Sequence, residues 1–402
     1  MKDRELRIII AGGGTGGHLF PGIAIARELK KRCEEAHILF IVGRRKMERD
    51  IISKAGFEIR SIDVEGMVGK GLLQLIRAFF KVVISSIQSL FIIRNFKPHL
   101  TVGVGGYTSG PVCLMGWFLR IPTAIHEQNS IPGITNRILA PLVKKVFISF
   151  EESTMYFKKK KLFLSGNPIR DELMDPEIFP KRVSRSVDGT INKRFVILVM
   201  GGSQGAKAIN KAVLSALKEL KKGGFLPFVI HQTGSQDLKK ILADYHTLGI
   251  DGEVTAFIED MASAYARADL VICRAGATTI AELAALGKPS ILVPYPYATH
   301  KHQDVNARAL AAYGGADIIL QRDLNGNTLA NKINMYMEKP DVLTQMSLFA
   351  LKAGRPQAKE IIVEQLMELI KGSVRQRTID PPASPESRRA GRWRAGNKQQ
   401  TK

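Results

Sequence analysis

The chain has 402 residues, 45% of them hydrophobic, and a formal net charge of +22 from 59 Lys and Arg against 37 Asp and Glu. That length and apolar content can fill two cores, which sets aside a small disulfide scaffold or a disordered chain, and three scattered cysteines (Cys33, Cys113, Cys273) without ligand spacing argue against disulfides and a zinc site. The basic balance favours an anionic partner (acidic lipid, phosphorylated substrate or nucleic acid) without choosing among them.

In chain order, a charged stretch at 1–6 leads directly into an apolar, β-branched run at 7–11. No apolar segment with a small-residue cleavage site precedes it, so the expectation is no signal peptide and a cytoplasmic location. The run ends in Gly12-Gly13-Gly14-Thr15-Gly16-Gly17-His18 and a helical pattern. Strand, glycine turn and helix N-terminus together predict an anion site, because free backbone N–H groups and the helix dipole converge there. Further strands are predicted at 37–42, 100–104, 123–126 and 145–148. In the second half they fall at 195–200, 228–231, 254–257, 270–273, 290–293 and 316–320. Their alternation with helical patterns predicts parallel sheets covered on both faces. The run at 195–200 ends in a second glycine turn, Gly201-Gly202-Ser203-Gln204-Gly205, so the unit occurs twice and implies two Rossmann-like halves across a cleft. The expected boundary lies at 166–192, where proline and charge are frequent. A last helix from about 357 to 371 is expected to cross back to the first half. The tail at 374–402, with eight basic and two acidic residues, reads as disordered.

The segment 72–93 is mostly apolar but contains Arg77 and Lys81. Two central cations, at roughly 2.5–3.5 kcal/mol each, weigh against a membrane span and suit an amphipathic helix. One reading is a crossover helix packed in the core. The other is a membrane-facing apolar patch with basic neighbours, joined by Trp117-Phe118, and different faces of one helix can satisfy both.

The glycine pattern Gly12-x-Gly14-x-x-Gly17 matches the dinucleotide fingerprint, which keeps an oxidoreductase open. The second strand, however, ends in Gly43-Arg44-Arg45 and offers no carboxylate for a ribose. Ser203 reads either as a phosphate contact or as a plain N-cap. Thr279 and Glu282 have capping-box spacing; alternatively Glu282 accepts both hydroxyls of a ribose. His126-Glu127-Gln128-Asn129 falls at the carboxyl end of an apolar strand, where open α/β sheets place ligands. Asn129 suits sugar hydroxyls, and Glu127 or His18 suits a base. No Asp-x-Asp occurs, so a diphosphate here is expected to be neutralised by helix N-termini and basic groups, with no metal.

Together, Gly13-Gly14-Thr15-Gly16-Gly17-His18, Gly105-Gly106-Tyr107, His126-Glu127-Gln128-Asn129, Gly166-Asn167-Pro168-Ile169-Arg170, Gly201-Gly202-Ser203-Gln204-Gly205-Ala206 and Gln303 ahead of Asn306-Ala307 resemble the MurG family. Its members are peripheral membrane glycosyltransferases (hexosyltransferases) of peptidoglycan synthesis, acting at the cytoplasmic face of the plasma membrane. The resemblance implies an α/β GT-B fold: an acceptor domain at 1–168 completed by the helix at 357–371, a donor domain at 169–350, and a basic tail at 373–402. It implies that Ser203 meets the donor diphosphate, backbone at Ile258 the uracil and Glu282 the ribose of UDP-N-acetylglucosamine. Thr278, Thr279 and Gln303 would reach phosphates or sugar, with Ala277, Ile280, Ala281 and Arg170 also lining the donor site. Thr15, Gly16, Gly17 and Asn129 would approach the transferred sugar. Gly105, Gly106 and Tyr107 would help form the pocket for the undecaprenyl-pyrophosphoryl acceptor, and Ile76, Phe80 and Trp117 the membrane patch, on an anionic surface. The implied reaction inverts the anomeric carbon in one displacement, with His18 as base and Glu127 as runner-up and no cofactor.

Two enzymatic alternatives share this scaffold. A UDP-sugar 2-epimerase needs no apolar basic surface, and an NADP-dependent oxidoreductase needs no second glycine turn. A nucleic-acid-binding protein would leave the cleft motifs without a role, so no nucleic-acid partner is expected.

Overall fold

The computed structural model describes residues 5–14, 16–64, 72–174, 194–202, 205–224 and 226–379, with the backbone alone at 72–79 and 373–379. Thr15, Ser203 and the side chains of Ile76 and Arg77, all singled out above, lie outside the described residues, as does 380–402.

The first half builds a seven-stranded parallel sheet in the order β3-β2-β1-β4-β5-β6-β7. Its elements are β1 (Arg7–Ala11), α1 (Gly16–Arg32), β2 (His37–Val42), α2 (Lys46–Lys54), β3 (Glu58–Ser61), α3 (Leu72–Phe96), β4 (Leu100–Gly103), α4 (Ser109–Phe118), β5 (Thr123–Glu127), α5 (Ile134–Leu139), β6 (Lys145–Ile148) and β7 (Leu162–Leu164). The second half builds a six-stranded parallel sheet in the order β10-β9-β8-β11-β12-β13. It comprises β8 (Val196–Met200), α6 (Lys207–Lys222), β9 (Phe228–Gln232), α7 (Leu238–Leu248), β10 (Gly252–Thr255), α8 (Met261–Arg267), β11 (Leu270–Cys273), α9 (Ala277–Ala285), β12 (Ser290–Leu292), α10 (His302–Ala312), β13 (Ala316–Ile318) and α11 (Gly326–Glu338). Helices α12 (Pro340–Ala353) and α13 (Ala358–Ile379) follow.

The runs Ile8-Ile9-Ile10 and Leu198-Val199 are wholly buried, as a central parallel strand covered on both faces requires. In each sheet the strand order reverses beside one of these strands, between β1 and β4 and between β8 and β11. Such switch points open a crevice at the carboxyl ends of the strands, and each glycine turn sits at one.

Sequence patterning missed β3 and β7, because Glu58-Ile59-Arg60-Ser61 is a largely polar edge strand and β7 is three residues after a lysine run. Strand β10 lies two positions earlier than expected. Helix α13 runs to Ile379, into the segment expected to be an irregular tail. Its Ile362, Val363, Leu366 and Ile370 join the core of the first sheet with Leu29 and Phe147, each contributing about 1.5–3 kcal/mol of apolar burial. Lys145 Nζ anchors it by donating to Gln365 O and Oε1 at 3.1 and 2.6 Å.

Helix α3 is patterned inside out. It buries Ser85, Ser89 and Ile93, whose small or compact side chains admit α4 closely, while Phe80, Val83, Ile84, Ile87 and Phe91 face outward. The two serines satisfy themselves within the helix, Ser85 Oγ donating to Val82 O and Ser89 Oγ to Ser85 O. Trp117 and Phe118 end α4 exposed as well.

Candidate active site

The first glycine turn leaves β1 and enters α1. Its amides are not all free, as the sequence reading assumed. Glu48, buried at the start of α2, accepts Gly14 N–H at 2.7 Å through Oε1 and Gly43 N–H at 2.9 Å through Oε2, tying the turns after β1 and β2 together. Arg45 donates to Gly14 O at 3.1 Å. Gly105 and Gly106, after β4, press against this turn, and Tyr107 is exposed beside them.

His18 is half-buried in the first turn of α1, with Nδ1 3.0 Å from Gln128 Oε1. Gln128 Nε2 donates to Val104 O at 2.7 Å and lies 3.1 Å from His126 Nδ1, while His126 Nε2 lies 3.1 Å from Gly166 O. Burial pushes the His126 pKa down to about 4, so the ring is neutral at pH 7. Glu127 is also buried, and four N–H donors occupy its carboxylate: Asn129 N and Nδ2 on Oε1, Gly133 N and Asn136 Nδ2 on Oε2. That network braces the loop after β5 and presents Asn129.

In the second half, α6 begins at Lys207 with Ala206 as its N-cap. Gln232, at the end of β9, links the second glycine turn to the backbone at Ile258: Nε2 donates to Gly202 O at 2.9 Å and Oε1 accepts Ile258 N–H at 3.0 Å. Ile258 therefore has its N–H engaged within the protein. Helix α9 begins at Ala277 with Gly276 as N-cap, so Thr279 and Glu282 lie inside the helix and form no capping box. Glu282 is buried instead between Arg170, whose Nε and NH2 donate to Oε1 at 3.1 and 2.9 Å, and Tyr265, whose hydroxyl donates to Oε2 at 3.0 Å. Burial and the neighbouring Glu282 raise the Tyr265 pKa well above its usual range. Burial opposes the Arg170 charge, but Glu282 and Tyr265 more than offset it and hold that pKa above its usual value. Gln303 Oε1 accepts Tyr295 N–H at 2.9 Å.

Several contacts join the halves. Thr278 Oγ1 donates to Gly17 O at 3.1 Å and accepts from Asn167 Nδ2 at 3.2 Å. Buried Asn306 accepts Ser130 N–H and Oγ–H at 3.0 and 2.7 Å and donates to Asn129 Oδ1 at 3.3 Å. Arg170 adds another tie, its guanidinium 5.0 Å from the Phe20 ring centre. The N-termini of α1 and α9 thus face each other at Gly17 and Thr278, and two helix dipoles there favour negative charge. Ile280 and Ala281 line a cavity of about 260 Å³ at the junction, with Ser149, Asn167 and Arg355.

Among the expected site residues the structure brings Gly17, beside His18, against Thr278, and Asn129 against Asn306, while Phe80 and Trp117 are exposed on the outside of α3 and α4. Glu48, Gln128 and Gln232 were given no role by sequence reasoning. Each acts through backbone groups distant in sequence, so spacing carries no signal for them. Among the described residues no group of three or more His, Cys, Asp and Glu is placed to hold a metal ion.

The glycosyltransferase family 28 N-terminal domain matches residues 8–148 and the family's C-terminal domain residues 196–362. A Myxococcus xanthus protein named UDP-N-acetylglucosamine–N-acetylmuramyl-(pentapeptide) pyrophosphoryl-undecaprenol N-acetylglucosamine transferase is 44% identical, across 91% of this chain and 93% of its own. A Syntrophus aciditrophicus protein of the same name is also 44% identical, across 91% of this chain and 99% of its own. Among solved structures, Acinetobacter baumannii MurG superposes with a TM-score of 0.72 at 30% identity, covering 90% of this chain and 99% of that one. A UDP-GlcNAc 2-epimerase from Neisseria meningitidis, at 16% identity and a TM-score of 0.63, shares the fold alone. With two parallel-sheet domains meeting at a crevice the fold is GT-B, and the chain belongs to the MurG family within glycosyltransferase family 28.

Proposed function

We propose that the chain transfers N-acetylglucosamine from UDP-N-acetylglucosamine to the 4-hydroxyl of lipid-linked N-acetylmuramyl-pentapeptide, inverting the anomeric carbon. The observation that carries the site assignment is the meeting of two helix N-termini at Gly17 and Thr278. The leaving diphosphate places its charge there, so backbone dipoles stabilise it without a metal. The second half holds the nucleotide: the backbone at Ile258 and the turn at Gly202, coupled by Gln232, take uracil and phosphate. In the first half Asn129 orients the transferred sugar and His18 Nε2 takes the proton of the attacking hydroxyl as O4 bonds to C1 and UDP departs with the bonding pair. His18 suits this better than Glu127, whose carboxylate is committed to four donors.

Among the described residues no helix is long and apolar enough to cross a membrane. The outward apolar stripe of α3 and the end of α4, with Lys81 and Arg94 beside them, support peripheral attachment to an anionic membrane, at the cytoplasmic face where a lipid-linked acceptor would be presented.

The test is transfer of labelled N-acetylglucosamine from its UDP donor to the lipid-linked acceptor in EDTA. Labelled lipid-linked disaccharide is expected. A UDP-sugar altered at C2 with no transfer would move the reading to the epimerase; loss of product on chelation would remove the metal-free site.

A further inference from the structure

The polar groups behind His18 form one line whose ends are backbone carbonyls, and carbonyls only accept. Val104 O, 2.7 Å from Gln128 Nε2, requires the amide nitrogen on its side, so Gln128 Oε1 faces His18 Nδ1. The same Nε2 lies 3.1 Å from His126 Nδ1, which therefore accepts. His126 then carries its proton on Nε2, 3.1 Å from Gly166 O and 3.3 Å from Ser149 Oγ, whose own proton goes to Glu127 O, and the second carbonyl agrees with the first. Turning the Gln128 amide over would set its oxygen against Val104 O and against the lone pair of His126 Nδ1. The neutrality of buried His126 fits the same assignment. The ring of His18 comes this close only because residue 105 is glycine: a Cβ there would lie 2.6 Å from His18 Nδ1 and 3.1 Å from Gln128 Oε1.

We propose that Gln128, backed by His126, is a positioning residue that holds His18 in the Nδ1–H tautomer and so keeps the Nε2 lone pair available to the acceptor hydroxyl. The tautomer of an imidazole is set by the bond its other nitrogen makes, and here that bond is an obligatory N–H donated to an amide oxygen. Among the described residues His18 Nε2 has no hydrogen-bond partner. When the hydroxyl O–H bond breaks, its proton moves to Nε2 and the imidazolium still donates Nδ1–H to Gln128 Oε1, so nothing in the line has to rearrange during the step. In the opposite tautomer Nε2 would carry a proton and could accept none. The proposal rests on the reading of His18 as base and deepens it.

The experiment is long-range 1H–15N correlation NMR of imidazole-labelled full-length chain near pH 7.5, with the His18 signals assigned by their loss in His18→Ala. The wild-type spectrum should show His18 protonated at Nδ1, with Nε2 at the chemical shift of a bare nitrogen. Gln128→Leu, which keeps the bulk and removes the amide, should let His18 populate the Nε2–H form. It should lower kcat on the order of 10- to 100-fold, a part of the roughly 100- to 10,000-fold that a general base supplies, while UDP-N-acetylglucosamine affinity by calorimetry stays within about twofold. A merely structural role for Gln128 would lower the melting temperature without moving the tautomer. Wild-type His18 protonated at Nε2 would overturn the proposal, and that measurement stands even if Gln128→Leu fails to fold. A shifted tautomer with unchanged kcat would uphold the Gln128 assignment and remove His18 as the base.

Discussion

Gly106 shows how little room the first turn allows. It has a φ of +78°, and a Cβ on it would come within 2.1 Å of Gly13 O, a clash with backbone that cannot swing aside. Gly106→Ala should therefore displace the Gly13–Gly14 segment held by Glu48, and transfer should fall at least about tenfold with acceptor KM rising more than donor KM. Equal effects on both substrates, measured by steady-state kinetics, would contradict the placement of the acceptor at this turn. At this scale the sequence was informative where a motif is local and uninformative where a partner is remote. The glycine turns could be read from their neighbours, a β-branched run before each and a helical pattern after it. Glu48, which spans from α2 to two separate turns, and Asn306, which bridges the two halves, acquire their roles only from folding. Glu127 misled for the same reason: a carboxylate at a strand end suits a base, and only the structure reveals that Asn136 and three further N–H groups have claimed it.

At the level of elements, long apolar runs at the sheet centres were legible because burial on both faces leaves a continuous β-branched signature. Edge strands β3 and β7 were not, since one side of each faces solvent and their composition is mixed. Helix α3 packs its serine side against the protein and turns its Phe and Ile side outward. Phe80 and Phe91 are 60% and 62% exposed, and burying such a ring in lipid is worth about 1.5–3 kcal/mol. Phe80→Ser with Phe91→Ser should thus weaken binding to vesicles of anionic phospholipid by tenfold or more, as read by sedimentation, and leave the melting temperature within a few degrees. Unchanged vesicle binding would detach this face from the membrane.

For the whole molecule, two buried neutral histidines couple stability to pH. Burial lowers the pKa of both His126 and His231 from 6.5 to about 4. His231 sits between Tyr245 and Asn210, with Nδ1 and Nε2 at 3.0 and 3.1 Å from them. Between those two pH values the unfolded chain binds protons that the folded chain refuses, so stability rises with pH through the window and is fully present above about 6.5. The effect is on the order of 3 kcal/mol per histidine. The melting temperature should fall as pH drops from 6.5 towards 4, and less steeply in His231→Gln; identical slopes would show that His231 is not a source of the dependence. The two-domain plan itself was legible from the repeated strand, glycine turn and helix, whereas the contacts that join the halves, Thr278 to Gly17 and Asn306 to Ser130, were not.

In the proposed reaction His18 takes the acceptor proton in a metal-free displacement where the two domains meet. The most direct measurement is kcat of His18→Ala against wild type, in EDTA, with UDP-N-acetylglucosamine affinity determined in parallel by calorimetry. A fall of at least about 100-fold in kcat with donor affinity unchanged within about twofold is the predicted result. A variant that turns over at the wild-type rate would contradict the account.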